Sequence, residues 1–520
     1  MKTIHAEGKN LIAATIAIGL LFISAVSAQT PTPTPSPIVS SNATNLSDLQ
    51  TRIQQRLADP SVRRGNVGVK IVSLSTGKVI FEKDAEKYFM PASNMKNFTV
   101  AAAIERLTPD YRFVTSVLAT QKPDEAGIVK GDLLIRGSGD VSISYSFDDD
   151  DRFKGLDRIV DELVKSGVKR VDGGIVGDDS YFKGDPIPGG WEWDDLQWYY
   201  GAEVSALPIN DNAIALSVVP GPVGYQCAAR VTPFNLVIRV NNRCLTTAAG
   251  TPRTLKIERK FGENLIEISG NLPAGNSGFS NNLTVSRPAE LFASMLKQRL
   301  VEKGIVVTGQ ARAITVGGVI PTTPLVEIAK IESPPLSLIA AKTMKPSQNM
   351  YTETLLWTIG ENERKRALIA QGTQPTSSEL GVTAVKNFLT GIGIAPDAVM
   401  QYDGSGLSRH NLITPSAVIQ LYTYMAKQSK HSQAWRDSLT IGGVDGTLRN
   451  RFKGTRAEAN FRGKTGTINQ VSALSGYVTT AGGEQLVFSM LVNGVSQTST
   501  RVGMIDEIVL MLANFNGKID

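Results

Sequence analysis

A change of texture at about Asp110 constrains the fold of this chain more than any other feature. Before it, Ser47 to Leu57 reads as a helix, with Ser47 as N-cap and Leu49, Ile53 and Leu57 spaced four apart on one face. Gly68 to Leu74 and Lys78 to Phe81 alternate like two strands around Ser75-Thr76-Gly77. Val100, Ala103, Ile104 and Leu107 then mark a second helix, which Thr108-Pro109 ends. From about Asp110 to about Ser333 the chain turns to short alternating runs, among them Phe113 to Leu118, Gly131 to Arg136, Ala213 to Val219 and Asn235 to Val240. Helical spacing resumes at Leu338 to Lys342, Tyr351 to Ile359, Thr414 to Lys427 and Val502 to Phe515, with strands at Val471 to Val478 and Leu486 to Val492. The expected fold is α+β. Residues 47–109 and 334–520 form one enclosing domain, a sheet flanked by helices, and residues 110–333 form one or two mainly β modules inserted after its second helix.

The N-terminal segment reads as targeting rather than fold. Lys2 and Lys9 precede the apolar stretch Leu11 to Val26, and the small Ser27 and Ala28 follow, which makes residues 1–28 a secretory signal cut after Ala28. The stretch is close to membrane-spanning length, so an uncleaved anchor is the competing reading, and membrane contact is expected through this segment alone. Residues 29–46, which include Thr-Pro repeats, are an unpacked linker. The protein is thus expected outside the cytoplasm, in the periplasm or cell envelope. There, Cys227 and Cys244, the two cysteines of the chain, could join in a disulfide; their spacing is not that of a zinc site, and no metal or cofactor is expected. The formal charge of +6 comes from scattered basic residues, which argues against a nucleic-acid partner and is compatible with a carboxylate-rich polymer as substrate.

Ser93 reads as a nucleophile. It sits at the first turn of the second helix, where a backbone amide has no intrahelical partner and can face an oxyanion, and Lys96 lies three residues on along the same face. Ser-x-x-Lys also occurs at Ser75–Lys78, Ser166–Lys169 and Ser294–Lys297. The first falls in a hairpin turn and the second before Gly167 at a helix end. Ser294 lies inside the helical run Ala289 to Val301, with its amide already bonded. Two further stretches complete the constellation. Ser347-Gln348-Asn349 follows Lys345-Pro346 in the gap between two helical segments, so the Ser347 hydroxyl can project into a cleft and relay a proton. Lys464-Thr465-Gly466-Thr467 precedes a strand, where glycine lets a substrate backbone approach the strand edge. Lys96, buried beside the second cation Lys464, would have a lowered pKa and take the Ser93 proton. Lys464 with Thr465 and Thr467 would anchor a substrate carboxylate, and the amides of Ser93 and Thr467 would hold the oxyanion. A Ser-His-Asp triad has few candidates, since only His410 and His431 follow the signal.

Ser-x-x-Lys, Ser-x-Asn and Lys-Thr-Gly together are the motif set of penicillin-binding proteins and class A β-lactamases. The chain resembles the class C low-molecular-mass penicillin-binding proteins, the D-alanyl-D-alanine carboxypeptidase and endopeptidase family. The resemblance extends to Tyr88-Phe-Met-Pro-Ala-Ser93, Gly137-Ser-Gly-Asp140, Gly177-Asp-Asp-Ser180, Leu207-Pro-Ile-Asn-Asp-Asn212, Asp403-Gly-Ser-Gly-Leu-Ser-Arg409-His-Asn411 and Gly443-Val-Asp-Gly-Thr-Leu448. It implies a β-lactamase/DD-peptidase-like fold and a serine DD-peptidase that cleaves peptidoglycan stem peptides through an acyl-enzyme on Ser93, with β-lactam antibiotics acylating the same serine. The insertion between the first two motifs is far longer than in a class A β-lactamase. Gln348 departs from the Asp of the motif, and Ser280-Asn281-Asn282, which matches Ser-x-Asn equally, is expected in a loop. Trp191, Asp194 and Tyr199 resemble a pocket for a diamino-acid ammonium of the peptide, with Arg409 facing the matching carboxylate. Asp140 and Asp403 sit in glycine-rich turns, where a carboxylate caps backbone amides. A serine β-lactamase or esterase on the same residues, and a non-catalytic peptidoglycan-binding protein, are the alternatives.

Overall fold

The computed structural model describes residues 43, 45–315, 318, 324–367 and 375–519. The signal segment and most of the linker lie outside the described residues. No helix among the described residues is long and apolar enough to cross a membrane. The helices are α1 (Leu46–Leu57), α2 (Lys96–Leu107), α3 (Lys154–Lys165), α4 (Pro288–Glu302), α5 (Leu336–Met344), α6 (Asn349–Ala367), α7 (Ser377–Gly391), α8 (Pro415–Lys427), α9 (Ser432–Ser438) and α10 (Thr498–Asn514). In α1 the apolar face is the expected one, Leu49, Ile53 and Leu57. Its cap is not Ser47. Asn45, in extended backbone, accepts the Asp48 amide on its side chain at 3.0 Å, so the helix starts one residue before Ser47.

The central sheet is antiparallel throughout and is built from β1 (Asn66–Ser73), β2 (Val79–Lys83), β3 (Thr440–Ile441), β4 (Arg462–Ile468), β5 (Val471–Thr479) and β6 (Gln485–Asn493). Their spatial order is β2-β1-β6-β5-β4-β3. β5 and β6 lie at the centre and are buried on both faces, with the small Ser472, Ser475, Gly476 and Ser489 set among their apolar residues. Alternate residues serve opposite cores. Ala473 and Leu491 join Phe98, Ile339, Leu355 and Tyr422 on one face, whereas Leu474 and Met490 join Ile53, Ile505 and Val509 from α1 and α10 on the other. Helix α2, which follows Ser93, is therefore enclosed between the sheet and α5, α6 and α8.

Helix α7 escapes a reading of apolar spacing because Gly381 interrupts it. The glycine is there for contact: a Cβ on Gly381 would stand 2.2 Å from the Leu356 carbonyl oxygen, and one on Gly360 2.1 Å from that of Ser377. Two glycines thus bring α6 and α7 into backbone contact. The usable sequence signal was the cap, since Thr376 and Glu379 form a reciprocal capping box.

Between α2 and α5 the chain is mostly sheet, as expected, with α3 and α4 packed among the strands. A five-stranded sheet orders the segments 311–314, 175–178, 133–136, 114–119 and 326–332, and smaller sheets follow within 213–284. One apolar cluster, including Val117, Leu133, Ile159, Leu207, Leu296 and Ile331, is drawn wholly from this stretch. Phe182, Val204 and Ala206, also from it, pack instead with α2 and α6. Cys227 and Cys244 are joined in a disulfide. Two local expectations fail. Asn235 to Ile238 is not strand, because the Asn235 carboxamide accepts the Val237 and Ile238 amides at 3.1 and 2.9 Å and turns the chain. Ser280-Asn281-Asn282, an apparent loop match to the second motif, is strand, paired with Leu216 and its neighbours.

β4 packs directly on the short 3₁₀ turn Ala92–Met95 that precedes α2. The Asn94 side chain donates to the Lys464 carbonyl at 2.9 Å, and a Cβ on Gly466 would stand 2.5 Å from the Pro91 carbonyl oxygen. Gly466→Ala must push the turn and the strand apart. It is expected to cost about 1–3 kcal/mol in urea unfolding, as overpacking at a backbone contact does, and an unchanged midpoint would show that the contact has slack.

Candidate active site

The turn that carries Ser93 is strained at its entry, since Ala92 has φ 47°. Its first internal bond runs from the Asn94 amide to the Pro91 carbonyl at 3.1 Å, which leaves the Ser93 amide ahead of it. Lys96 is fully buried, and its Nζ donates to Ser93 Oγ at 3.0 Å, Asn349 Oδ1 at 2.6 Å and the Ser405 carbonyl at 2.8 Å. An ammonium has three donors, and all three are used. A neutral amine in the same place keeps the bonds to Asn349 and Ser405 and turns its lone pair to Ser93, the arrangement a base requires. Burial pushes the Lys96 pKa down to about 7, against the opposing pull of Asp403 and Glu353. Of the two expected causes, burial and a second cation, burial does the work. Lys464, also fully buried, is the residue that feels a neighbouring cation: burial first, then Lys96, push it well below the usual lysine range.

Ser347 sits between α5 and α6 as anticipated, in left-handed backbone at φ 68°, and its hydroxyl accepts from Lys464 Nζ at 2.9 Å. Lys464 donates also to its neighbour's carbonyl, Thr465 O, at 2.9 Å. Asn349 opens α6, and its amide nitrogen donates to the Tyr200 carbonyl at 2.9 Å. The structure thus brings the five residues together as two hydrogen-bonded sets, Ser93–Lys96–Asn349 and Ser347–Lys464, near enough for the charge of Lys96 to act on Lys464. Lys464-Thr465-Gly466 lies within β4, not before it. β3 pairs with β4 only at Arg462 and Gly463, so from Lys464 onward that edge carries no strand partner among the described residues. Thr465 Oγ1 shares a 2.7 Å hydrogen bond with Thr447 Oγ1, and Thr467 is exposed at the free end. An open strand edge beside a buried lysine pair suits an extended peptide that ends in a carboxylate.

Gln348, which replaces the motif's Asp, donates from Nε2 to Asp211 Oδ2 at 2.9 Å. Asp211 belongs to the tight turn Asn210–Asn212, whose three residues all have positive φ, and it also accepts from Ser144 and Tyr351. An amide here meets a carboxylate that an aspartate would repel. Trp191 donates from Nε1 to Asp403 Oδ2 at 2.9 Å, which places it beside the motif block that supplies the Ser405 carbonyl. Arg409 donates to Glu192 at 2.7 Å and to the Asn469 carbonyl at 3.3 Å, so its guanidinium is held in an ion pair next to Trp191. Asp194 is exposed, and the Tyr199 and Tyr200 rings meet edge to face at 5.5 Å. Burial and then the charges of Asp194 and Glu192 push Asp195 up to about 6, so this loop is locally acidic.

Sequence reasoning missed Glu353, Thr447 and the carbonyls of Ser405 and Tyr200. The last two act through backbone, which leaves no residue-type signal; Glu353 lies one helical turn beyond Asn349 and was findable as a carboxylate inside an apolar stretch. Ser75, Ser166 and Ser294 fall where expected, in the β1–β2 turn, at the end of α3 and within α4. No cluster of three or more His, Cys, Asp or Glu that could hold a metal occurs among the described residues.

Comparison with known proteins identifies relatives over most of the chain. The chain is 33% identical to a D-alanyl-D-alanine carboxypeptidase of Actinomadura sp. (strain R39), over 92% of this chain and 87% of that one. It is 27% identical to a D-alanyl-D-alanine carboxypeptidase of Haemophilus influenzae, over 87% and 88% of the two chains. The crystal structure of penicillin binding protein 4 from Haemophilus influenzae superposes with a TM-score of 0.74 at 25% identity, covering 91% of this chain and 100% of that one. Residues 49–515 match the model of a single peptidase family, and this chain belongs to that family, the D-Ala-D-Ala carboxypeptidase 3 (S13) family.

Proposed function

We propose that the chain hydrolyses the terminal D-Ala-D-Ala bond of peptidoglycan stem peptides through an ester on Ser93. The observation that carries this reading is the Lys96 amine, fully buried and held between Ser93 Oγ, Asn349 Oδ1 and the Ser405 carbonyl. Ser93 Oγ attacks the carbonyl of the penultimate D-Ala while its proton passes to Lys96. The oxyanion is met by the amides of Ser93 and Thr467. Ser347 relays a proton to the departing amine as the peptide bond breaks, giving its own and taking one from Lys464 Nζ at 2.9 Å, and the water that later attacks the ester returns that proton while Lys96 returns its own to Ser93. Lys464, Thr465 and Thr467 hold the terminal carboxylate of the substrate, and water then attacks the ester to release the shortened peptide. The same ester would open a cross-link when the leaving amine belongs to a second stem peptide, which is the endopeptidase form of the reaction. β-Lactams, which present a strained amide and a carboxylate, fit the same places. Export through residues 1–28 and the division into an enclosing domain, 47–109 with 334–520, and inserted modules, 110–333, belong to this reading.

The pocket is part of the proposal. Trp191, Asp194 and Tyr199 belong to an acidic loop, which suits the ammonium of a diamino acid at the third stem position, and Arg409, held to Glu192 of that loop, would meet its carboxylate. Asp194→Asn is then expected to raise KM about tenfold for stems carrying a free ammonium there, as loss of one charged contact does, and to leave stems without it unaffected. Equal effects on both would remove Asp194 from recognition.

Acylation needs Lys96 without its proton. With a pKa near 7, the amine is charged below and neutral above that value, so the acylation rate should rise as pH passes upward through about 7. A flat profile down to about pH 5 would exclude Lys96 as the base. The direct test incubates the protein with a penicillin and locates the adduct by mass spectrometry. An adduct on Ser93 that lasts minutes, absent in Ser93→Ala, is the expected result. One that disappears within seconds points to a β-lactamase or esterase, and none at all to a non-catalytic peptidoglycan-binding protein.

A further inference from the structure

The turn from Asp403 to Ser408 makes no contact with substrate in the mechanism above, yet its backbone reaches both ends of the Ser93–Lys96 pair. Its Ser405 carbonyl receives Lys96 Nζ at 2.8 Å. Its Gly406, at φ 83°, lies so near the residue before the nucleophile that a Cβ there would stand 1.8 Å from the Ala92 carbonyl oxygen. Two buried carboxylates hold this turn. Glu353, projecting from α6 with 0% exposure, accepts the Gly404 amide at 2.9 Å on one oxygen and the Ser405 amide at 2.7 Å on the other. Asp403, also 0% exposed, accepts the Gly406 amide and Asn411 Nδ2 on one oxygen, each at 2.7 Å, and the Ser408 amide and Trp191 Nε1 on the other, at 2.7 and 2.9 Å. Every one of these oxygens accepts, which favours the ionised acid, while burial and then the Asp403 charge push Glu353 up to about 8, so the two side chains act as one buried acidic pair.

A turn could be held by neutral groups at lower desolvation cost, and the chain has one such grip already, Thr99 Oγ1 to the Gly404 carbonyl at 2.9 Å. Charge in that place therefore needs an electrostatic reason. The charged groups that face Lys96 are Glu353 from α6, Asp403 from the turn and Lys464 from β4. When Lys96 takes the Ser93 proton it becomes a cation shut away from water beside another lysine, and the negative charge of the acidic pair, Asp403 first and then Glu353, offsets it. Both act to raise the affinity of Lys96 for its proton against the effect of burial.

We propose that Glu353 and Asp403 are positioning residues for Lys96: they hold the Asp403–Ser408 turn against its amine and supply the buried negative charge that accommodates the proton taken from Ser93. Through the Trp191 indole, Asp403 ties the same turn to the wall of the substrate pocket. The proposal rests on Lys96 acting as the base.

The test measures the second-order rate of Ser93 acylation by a penicillin against pH, in the full chain, for Glu353→Gln, Asp403→Asn and Thr99→Val. Removing one negative charge makes the amine lose its proton more readily. Either carboxamide variant is therefore expected to shift the acid limb to lower pH by about one unit, and to lower the plateau roughly tenfold as the carbonyl contact loosens. Thr99→Val loosens the turn without altering charge, so its plateau should fall while its acid limb stays in place. A lowered plateau with an unmoved acid limb in both carboxamide variants would reduce the acids to structural supports and overturn the proposal. So would a profile identical to wild type. If circular dichroism shows that neither carboxamide variant folds, Glu353→Asp keeps the charge but shortens its reach: a lowered plateau with the limb in place supports the proposal, and an unchanged plateau overturns it. Failure of the underlying reading looks different, as acylation of Ser93→Ala or a wild-type profile with no acid limb.

Discussion

The burial of one amine organises this protein. Lys96 is enclosed by α6, β4 and the Asp403–Ser408 turn, and it has a hydrogen-bond acceptor for each proton it can carry. A lysine so placed would forfeit its solvation with little return if the partners were not already in position. The partners come from distant parts of the chain, Asn349 at the start of α6 and Ser405 in a turn more than fifty residues later, and Ser93 comes from the same turn as Lys96. The fold can be read as the apparatus that assembles these three acceptors. Once assembled, water exclusion turns an ordinary lysine into a group that exchanges its proton near neutrality.

Close backbone approach does the assembling. Gly466 lets β4 lie on the Ser93 turn, Gly406 lets the 403–408 turn lie on Ala92, and Gly360 with Gly381 seats α7 on α6. Each is a place where a methyl group would force two backbones apart, and positional error of that size is what a hydrogen-bonded base tolerates least. Charged partners of mixed sign secure the rim. Lys345 pairs with Asp445 at 2.5 Å, and Thr447, two residues on, reaches Thr465, so the loop before Ser347 and the β4 edge are held by one segment.

The stretch between α2 and α5 is not a passive insertion. It supplies the Tyr200 carbonyl that orients Asn349, the Asp211 carboxylate that holds Gln348, and the Trp191 indole that closes on Asp403. Three contacts from one stretch thus reach each of the motif segments on α6 and the 403–408 turn. A replacement such as Gln348 for aspartate makes sense only in that setting, where its neighbour is already an acid.

What the sequence determined by itself was the repetitive pattern of most of its elements. The apolar spacing of α1 and α2, the apolar-rich strands β5 and β6 and the alternating texture of residues 110–333 each follow from a pattern that a single element imposes on its own residues. The five polar residues of the cluster were legible too, because Ser93, Lys96, Ser347, Asn349 and Lys464 fall in three short motifs whose residue types have chemical meaning. Tertiary structure decided the rest. The Ser405 and Tyr200 carbonyls have no residue-type signature, since every residue carries one, and their role exists only where two segments meet. The capping of α1 by Asn45, the turn at Asn235 and the strand at Ser280 turned on which of two local hydrogen-bonding options the surroundings favoured. The lowered pKa of Lys96 was expected from burial and a second cation together and arises from burial, because desolvation depends on how many segments close around a side chain, a quantity no stretch of sequence contains.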